Sequence, residues 1–468
     1  MASYELSKTK RNLIVSVMLI SAFVAILNQT LLNTALPHIM RELNINENTS
    51  QWLITGFMLV NGVMIPLTAY LGAMGSFLLG SIVAAIAPNF GVLMIARVIQ
   101  AVGAGILMPL MQFTLFTLFS KEHRGFAMGL AGLVIQFAPA IGPTFTGLII
   151  DNASWRVPFI VIVGIALVTF IFGFVSISSY NTTKETKLDK KSVIYSTLGF
   201  GLMLYAFSSA GNLGFSNPIV LCSLLISLII IGIFVKRQIT ISNPLLNLKI
   251  FNNKIFCFST ITSMIIMLSM VGPALLIPLY VQNALGLSAL LSGLVIMPGA
   301  IINGIMSVFT GKFYDKYGPR PLIFTGFILL ISCTFLLCFL KVDTSYTYLI
   351  VIYAIRMFAV SLLMMPINTT GINALKTEDI SHGTAIMNFG RVMAGSLGTA
   401  LMVTFMSIGA QWVVSSSEHA SKEMIQRQSV AVGVDVSFAL VTVFVIIAFV
   451  LALFIKEPNH LTHNSRKV

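Results

Sequence analysis

Two stretches decide the fold: LMIARVIQAVGAGILMPL, residues 93–110, and IVIYAIRMFAVSLLMMPI, residues 350–367. Each is an apolar run of bilayer-crossing length with one arginine near its start and a Met-Pro pair further on. A guanidinium at the centre of a membrane helix costs roughly 2.5–3.5 kcal/mol on insertion scales. Arg97 and Arg356 must therefore face protein or water. The same pattern in two parts of the chain marks an internal duplication, a common way of building transporters.

Working outward, apolar windows predict spans near 13–36, 51–69, 73–88, 91–118, 126–150 and 157–179. A second series follows near 193–210, 218–235, 256–281, 290–310, 322–340, 346–374, 384–410 and 433–455. The composition agrees, since 57% of the residues are hydrophobic and only 9% charged, against about 25% in soluble domains. These fourteen spans predict an all-α polytopic membrane protein. The opening run is too long, and too polar at Asn28, Gln29 and Asn33, for a cleaved signal peptide. Cys222, Cys257, Cys333 and Cys338 lie in apolar runs and read as small core residues.

The net charge of +13 is a topogenic signal rather than a nucleic-acid footprint. With both termini on the cytoplasmic side, basic residues fall inside and outside in a ratio of roughly four to one. Gln51 to Pro88 carries no charge at all and as one helix would be about 57 Å long, nearly twice the ~30 Å hydrocarbon core. A single crossing there would invert every later loop and reverse the charge bias. Two crossings with an abrupt turn around Tyr70 to Gly75 are expected, and a re-entrant pair would keep the same parity.

Aligning the two arginine stretches pairs spans 1–6 with 9–14 and leaves spans 7 and 8 as an inserted hairpin. The expected organisation is a six-helix bundle over 1–180, cytoplasmic linkers and the hairpin over 181–253, a second six-helix bundle over 254–456 and a cytoplasmic tail over 457–468.

Several motifs carry a family likeness. Gly311 to Arg320, read as a loop, resembles the G-x-x-x-D-(R/K)-x-G-x-(R/K) signature of the major facilitator superfamily. Leu93 to Gly105, with Arg97, Gln100 and Gly103, is similar to that family's fourth-span motif. Ala138 to Gly147, with Gly142, Pro143 and Gly147, resembles its antiporter-associated fifth span. Asn247 to Phe256 resembles the inner segment before span 9, and Gly383-Thr384-Ala385, with Asn388, Arg391 and Gly395, a thirteenth span. Within the superfamily the likeness is to fourteen-span drug:proton antiporters of the EmrB/QacA type. It implies a major facilitator fold of two six-helix bundles plus the two-helix hairpin, in a bacterial plasma membrane. There are two departures. The first-half copy of the charged loop motif is replaced by Tyr70 to Gly75, about a dozen residues short, and Asn28 stands where the group commonly has an Asp.

The chemistry expected of the sites follows. Arg97 serves either as a buried tie between helices or, as the resemblance implies, in proton coupling with Gln100; the same two roles are open to Arg356 and Arg391. Asp435 is the single acid inside a predicted span, read either as an interfacial residue or as a proton site. Asp315 could pair with Lys316 or Arg320, beside Gly311, to latch an inner gate. Gly142, Pro143 and Gly147 permit a kinked, closely packed span. Asn28 and Gln29 offer hydrogen bonds to substrate or to neighbouring helices, and Met267, Met270, Met364 and Met365 supply adaptable apolar surface for ligand or for core. All six histidines are assigned to loops or tails.

No Gly-Lys-Ser/Thr phosphate cradle, His-Glu-x-x-His or Cys-x-x-Cys occurs, so no cofactor, metal or enzymatic activity is expected. The resulting expectation is a monomeric, proton-coupled exporter of small lipophilic drug-like molecules, working by alternating access from within the lipid bilayer. An exporter of an endogenous lipophilic metabolite, or a transport-dead form lacking the first-half loop, are the alternatives.

Overall fold

The computed structural model describes residues 8–455 except 46–49, 51, 54–55, 58–59, 62–69, 151–152, 178–188, 242–243 and 417–421, and omits the side chains of some further helical residues. Among the described residues there are thirteen long α-helices and no strand. They are α1 (Lys8–Leu43), α2 (Tyr70–Ala85), α3 (Phe90–Leu118), α4 (Arg124–Ile150), α5 (Val157–Ile177), α6 (Lys190–Leu213) and α7 (Pro218–Thr240). The series continues with α8 (Lys254–Asn283), α9 (Ala289–Tyr317), α10 (Pro319–Leu336), α11 (Tyr346–Asn373), α12 (Ile380–Ser416) and α13 (Lys422–Ala452). Ten of the described helices are long and apolar enough to cross a membrane. Predicted span 2 falls largely outside the described residues.

The helix ends have local causes. Asn89, Asn253 and Ser288 cap α3, α8 and α9, their side-chain oxygens accepting from the first-turn amides of Val92, of Ile255 and Phe256, and of Leu291. Between caps, apolar residues surround each helix, so faces such as Ile171, Phe172 and Val175 on α5 or Leu225 and Ile229 on α7 remain exposed, as a lipid solvent allows.

Three expectations need correction. Residues 70–75 form the first turns of α2 rather than a turn, because Tyr70 is anchored on both sides, its hydroxyl meeting Ser21 Oγ at 3.0 Å and donating to Thr169 O at 3.2 Å. The charged Gly311 to Arg320 segment is not an extended loop: α9 runs to Tyr317, and Gly318 alone, at φ 77°, breaks it before Pro319 opens α10. Only glycine adopts that backbone without strain, and proline suits the first helical position. His38 and His382 lie within α1 and α12 rather than in loops.

The chain forms two compact units. Unit 1 comprises Met1–Gly201, Ile230–Leu248 and Thr377–Phe389, and unit 2 comprises Leu202–Ile229, Lys249–Lys376 and Gly390–Val468. In unit 1, α1 packs on α3, α4 and α5, and α2 on α3 and α5. In unit 2, α8 packs on α9, α11 and α13, while α10 packs on α11 and α13. The pairs α1·α3, α1·α5, α2·α3 and α2·α5 thus recur as α8·α11, α8·α13, α10·α11 and α10·α13. The duplication read from Arg97 and Arg356 is expressed as a repeated packing scheme.

Close approach of α2 and α3 depends on two glycines. A Cβ at Gly80 would lie 2.6 Å from the Gln100 amide nitrogen, and one at Gly103 would strike the carbonyl of Ala73. Small residues of this kind let membrane helices gain dispersion contact where no hydrophobic force pulls them together. They also bring α2 against the face of α3 that carries Arg97 and Gln100.

Candidate functional site

Arg97 is 1% exposed in unit 1 and is satisfied without a carboxylate. Three residues along the helix, Gln100 shares its face, and Arg97 Nη1 donates to Gln100 Oε1 at 3.0 Å. Arg97 Nε reaches Leu53 O at 3.4 Å, and the guanidinium carbon sits 4.0 Å from the Phe57 ring centroid. The chain of bonds continues from Gln100 Nε2 to Ser81 Oγ at 3.0 Å and from Ser81 Oγ to Phe77 O at 2.7 Å. A backbone carbonyl, an amide and a π face therefore share the charge, each weaker than a carboxylate, and any acid brought near would find an unneutralised cation.

Arg356 is fully buried in unit 2. Its Nε reaches Thr334 Oγ1 on α10 at 3.4 Å and Nη2 donates to the Ser269 carbonyl on α8. Among the described residues Nη1 has no partner, and neither does the hydroxyl of fully buried Tyr353, about one turn earlier on α11. Arg391 is also buried, at 8% exposure. The ion pairs Glu42–Arg156 and Asp189–Arg237 involve neither Arg97 nor Arg356.

The polar candidates separate into distinct settings. Asn28 is fully buried on α1 with both amide atoms unpartnered, while Gln29 is half-buried. Asp435 is half-buried on α13, where Oδ1 accepts from the Leu340 amide at 2.9 Å and so ties this helix to the segment after α10. The helix starts at Lys422, between three and four turns before Asp435. Met364 and Met365 are buried, and Met267 and Met270 pack against the same unit 2 core. Ser263 Oγ lies 3.7 Å from Met364 Sδ and 2.8 Å from Asn368 Oδ1.

Gly311 is buried on α9, Asp315 is half-buried in that helix's last turn, and Arg320 is exposed at the start of α10. Gly142 is buried on α4; the backbone stays helical through Pro143 and Gly147, whose side-chain surroundings lie outside the described residues. Arg97 and Gln100 form one cluster in unit 1, and Arg356 belongs to another in unit 2.

Three groupings escaped sequence reasoning. In unit 1, Asn388 Nδ2 donates to Gln112 Oε1 at 2.8 Å, joining α12 to α3 across 276 positions of sequence. Trp155 Nε1 donates to Glu42 Oε2 at 2.7 Å, and Arg156 bonds Glu42 and, at 2.8 Å, Ala87 O, so the ends of α1 and α2 meet the start of α5. The hydrogen bond from Arg156, with Trp155 assisting, holds the Glu42 carboxyl below the ordinary glutamate range. Beside α6, the Asp189 carboxyl is held well below its usual range by the bidentate hydrogen bond from Arg237 and by Ser192. No local sequence pattern flags these long-range pairs; only Tyr353, at helical spacing from Arg356, left a readable signal.

The family model described as Major Facilitator Superfamily matches residues 18–399. The chain belongs to the Major Facilitator Superfamily. This member is 41% identical to the uncharacterized MFS-type transporter YcnB of Bacillus subtilis, with 98% of each chain covered. It is 37% identical to the lincomycin resistance protein LmrB of Listeria monocytogenes, over 95% of this chain and 97% of that one. With the multidrug export protein EmrB of Escherichia coli it shares 27% identity over 82% and 78%. The fold likeness extends to the human organic anion transporter MFSD10, with a TM-score of 0.62 at 12% identity over 94% and 99% of the two chains. The protein is thus an all-helical, multi-pass membrane transporter of this superfamily, not an enzyme.

Proposed function

We propose that this transporter exports lipophilic or amphipathic drugs in exchange for protons, by alternating access across a bacterial plasma membrane, as a monomer with both termini in the cytoplasm. The names of the lincomycin resistance and multidrug export relatives support the substrate class. The basic residues biased to one side of the predicted spans support the orientation.

The observation that carries the coupling is Arg97, a fully buried cation shared among Gln100, Leu53 O and the Phe57 ring with no carboxylate beside it among the described residues. Such a cation raises the free energy of bringing a proton near and lowers that of a nearby anion, so its field biases when a titrating group loads and unloads. Gln100 and Ser81 hold it in place. Asp435, half-buried on α13, is the group assigned to carry the proton in this reading, and Asn28 on α1 provides amide hydrogen bonds to substrate. Buried methionines such as Met364 and Met365 offer polarizable surface that can repack around different ligands.

The test uses inverted membrane vesicles containing the full chain, an imposed pH gradient and a fluorescent lipophilic cation. Uptake should collapse when the gradient is dissipated and be indifferent to ATP. Uptake that persists without a gradient and requires ATP refutes the coupling.

A further inference from the structure

We infer that unit 2 holds an anion-binding site at Arg356, formed with the Tyr353 hydroxyl, that takes a small monovalent anion or the carboxylate of a larger molecule. The inference goes beyond the antiport reading and does not depend on it.

Two unmet donors carry it. Arg356 and Tyr353 are both fully buried, stand one turn apart on α11, and each leaves a polar atom without a partner, Nη1 on the first and the phenolic oxygen on the second. The rest of the guanidinium is held by neutral groups from two other helices, the Ser269 carbonyl of α8 and the Thr334 hydroxyl of α10. Thr334 in turn donates to Leu330 O at 2.6 Å, so its oxygen is oriented to accept from the arginine. The head group is therefore fixed through Nε and Nη2, while Nη1 is left without an acceptor among the described residues.

A buried cation without a counter-charge is retained only where something compensates it, because its desolvation is not repaid by one carbonyl and one hydroxyl. Among the described residues no ion pair reaches Arg356. A neutral water would satisfy the geometry of the two donors but not the charge. An anion satisfies both, with N–H and O–H donors of the kind that bind chloride or carboxylate. Across the contact between α9 and α11, Gly299 presents no side chain, and a Cβ there would lie 2.8 Å from the Tyr353 ring. Tyr353 is thus held in place from α9 while its hydroxyl has no partner among the described residues.

The test is binding to the purified full-length transporter in nanodiscs at constant ionic strength, replacing gluconate by chloride or by acetate and reading thermal stability. Saturable stabilisation by either small anion is expected. Tyr353→Phe, which keeps the ring packed on Gly299, should weaken the apparent affinity about tenfold, the size of one hydrogen bond to a charged group. Arg356→Gln should abolish the anion dependence, and if that variant fails to fold the Tyr353→Phe result decides alone. Equal stability in gluconate, chloride and acetate, as a water-filled site would give, overturns the inference, as does an unshifted midpoint in Tyr353→Phe. Proteoliposome transport separates the sources: a substrate-borne anion makes Tyr353→Phe slow a carboxylate dye and spare a cationic dye, whereas a free anion makes the variant treat both alike and shift only the salt dependence.

Discussion

Replacing Gln100 by leucine isolates the part of the Arg97 cluster that is electrostatic. Leucine is close to glutamine in size and a strong helix former, so the change removes the amide while leaving α3 and its packing on α2 nearly intact. Arg97 Nη1 then loses its acceptor at 3.0 Å and Ser81 Oγ loses its donor, although Ser81 still donates to Phe77 O. A hydrogen bond to a charged group is worth about 1.5–3 kcal/mol, whereas neutral bonds between membrane helices average about 0.6 kcal/mol. The first is a buried guanidinium bond within α3 and the second a neutral interhelical one, so a loss of about 2 kcal/mol is expected, close to a thirtyfold shift in the unfolding equilibrium. Equilibrium unfolding in bicelles, followed by tryptophan fluorescence from the three tryptophans of the chain, measures it. Gln100→Glu supplies the control, because a carboxylate at the same position keeps an acceptor for Arg97 and can take a hydrogen bond from Ser81. That variant should lose much less stability than Gln100→Leu. A Gln100→Leu change below about 0.5 kcal/mol, or equal losses in the two variants, refutes the account of Arg97 as an acceptor-dependent buried cation.

Gly103→Ala should cost about 1–3 kcal/mol, because its Cβ meets the rigid carbonyl of Ala73 and the Phe77 backbone rather than a side-chain tip that could move; a melting temperature equal to wild type would show that α2 and α3 can separate freely. Glu42 contributes stability that is present above the ordinary carboxylate range and lost as acid protonates it, since its folded form is held below that range by Arg156. Both partners are partly exposed, so Glu42→Gln should remove only about 0.2–1 kcal/mol at neutral pH and flatten the acid limb of the stability curve; an unchanged acid limb counts against the pair. Asp435→Asn keeps an acceptor for the Leu340 amide but cannot ionise, so it should leave folding intact and shift the pH profile of drug efflux, and an identical profile would remove Asp435 from the proton route.

How far the chain can be read without coordinates differs between its parts. The helices were legible because a bilayer forces every backbone polar group to be satisfied within the segment, which stamps a long apolar run on each crossing. α3, α5, α8 and α11 accordingly start and stop within a few residues of the predicted windows. Arg97 and Arg356 were legible for the opposite reason, since a charge in such a run is costly and stands out. The Gly311 to Arg320 segment misled because polar composition marks water exposure, and water exposure permits a helix to continue; only the positive φ of Gly318 ends it.

Composition and charge asymmetry were thus enough by themselves to indicate a helical membrane protein, and the repeated arginine pattern an internal duplication, because solvent and insertion energetics act on each segment separately, while transport was legible only through the motif resemblance. What each buried charge touches was decided by tertiary structure alone. Leu53 O and Phe57 reach Arg97, Ser81 reaches Gln100, and Ser269 and Thr334 reach Arg356, only after separate segments have packed. The orphaned atoms of Tyr353, Arg356 and Asn28 become visible only then too, because a polar group can be called unsatisfied only once every neighbour that could have reached it has a place.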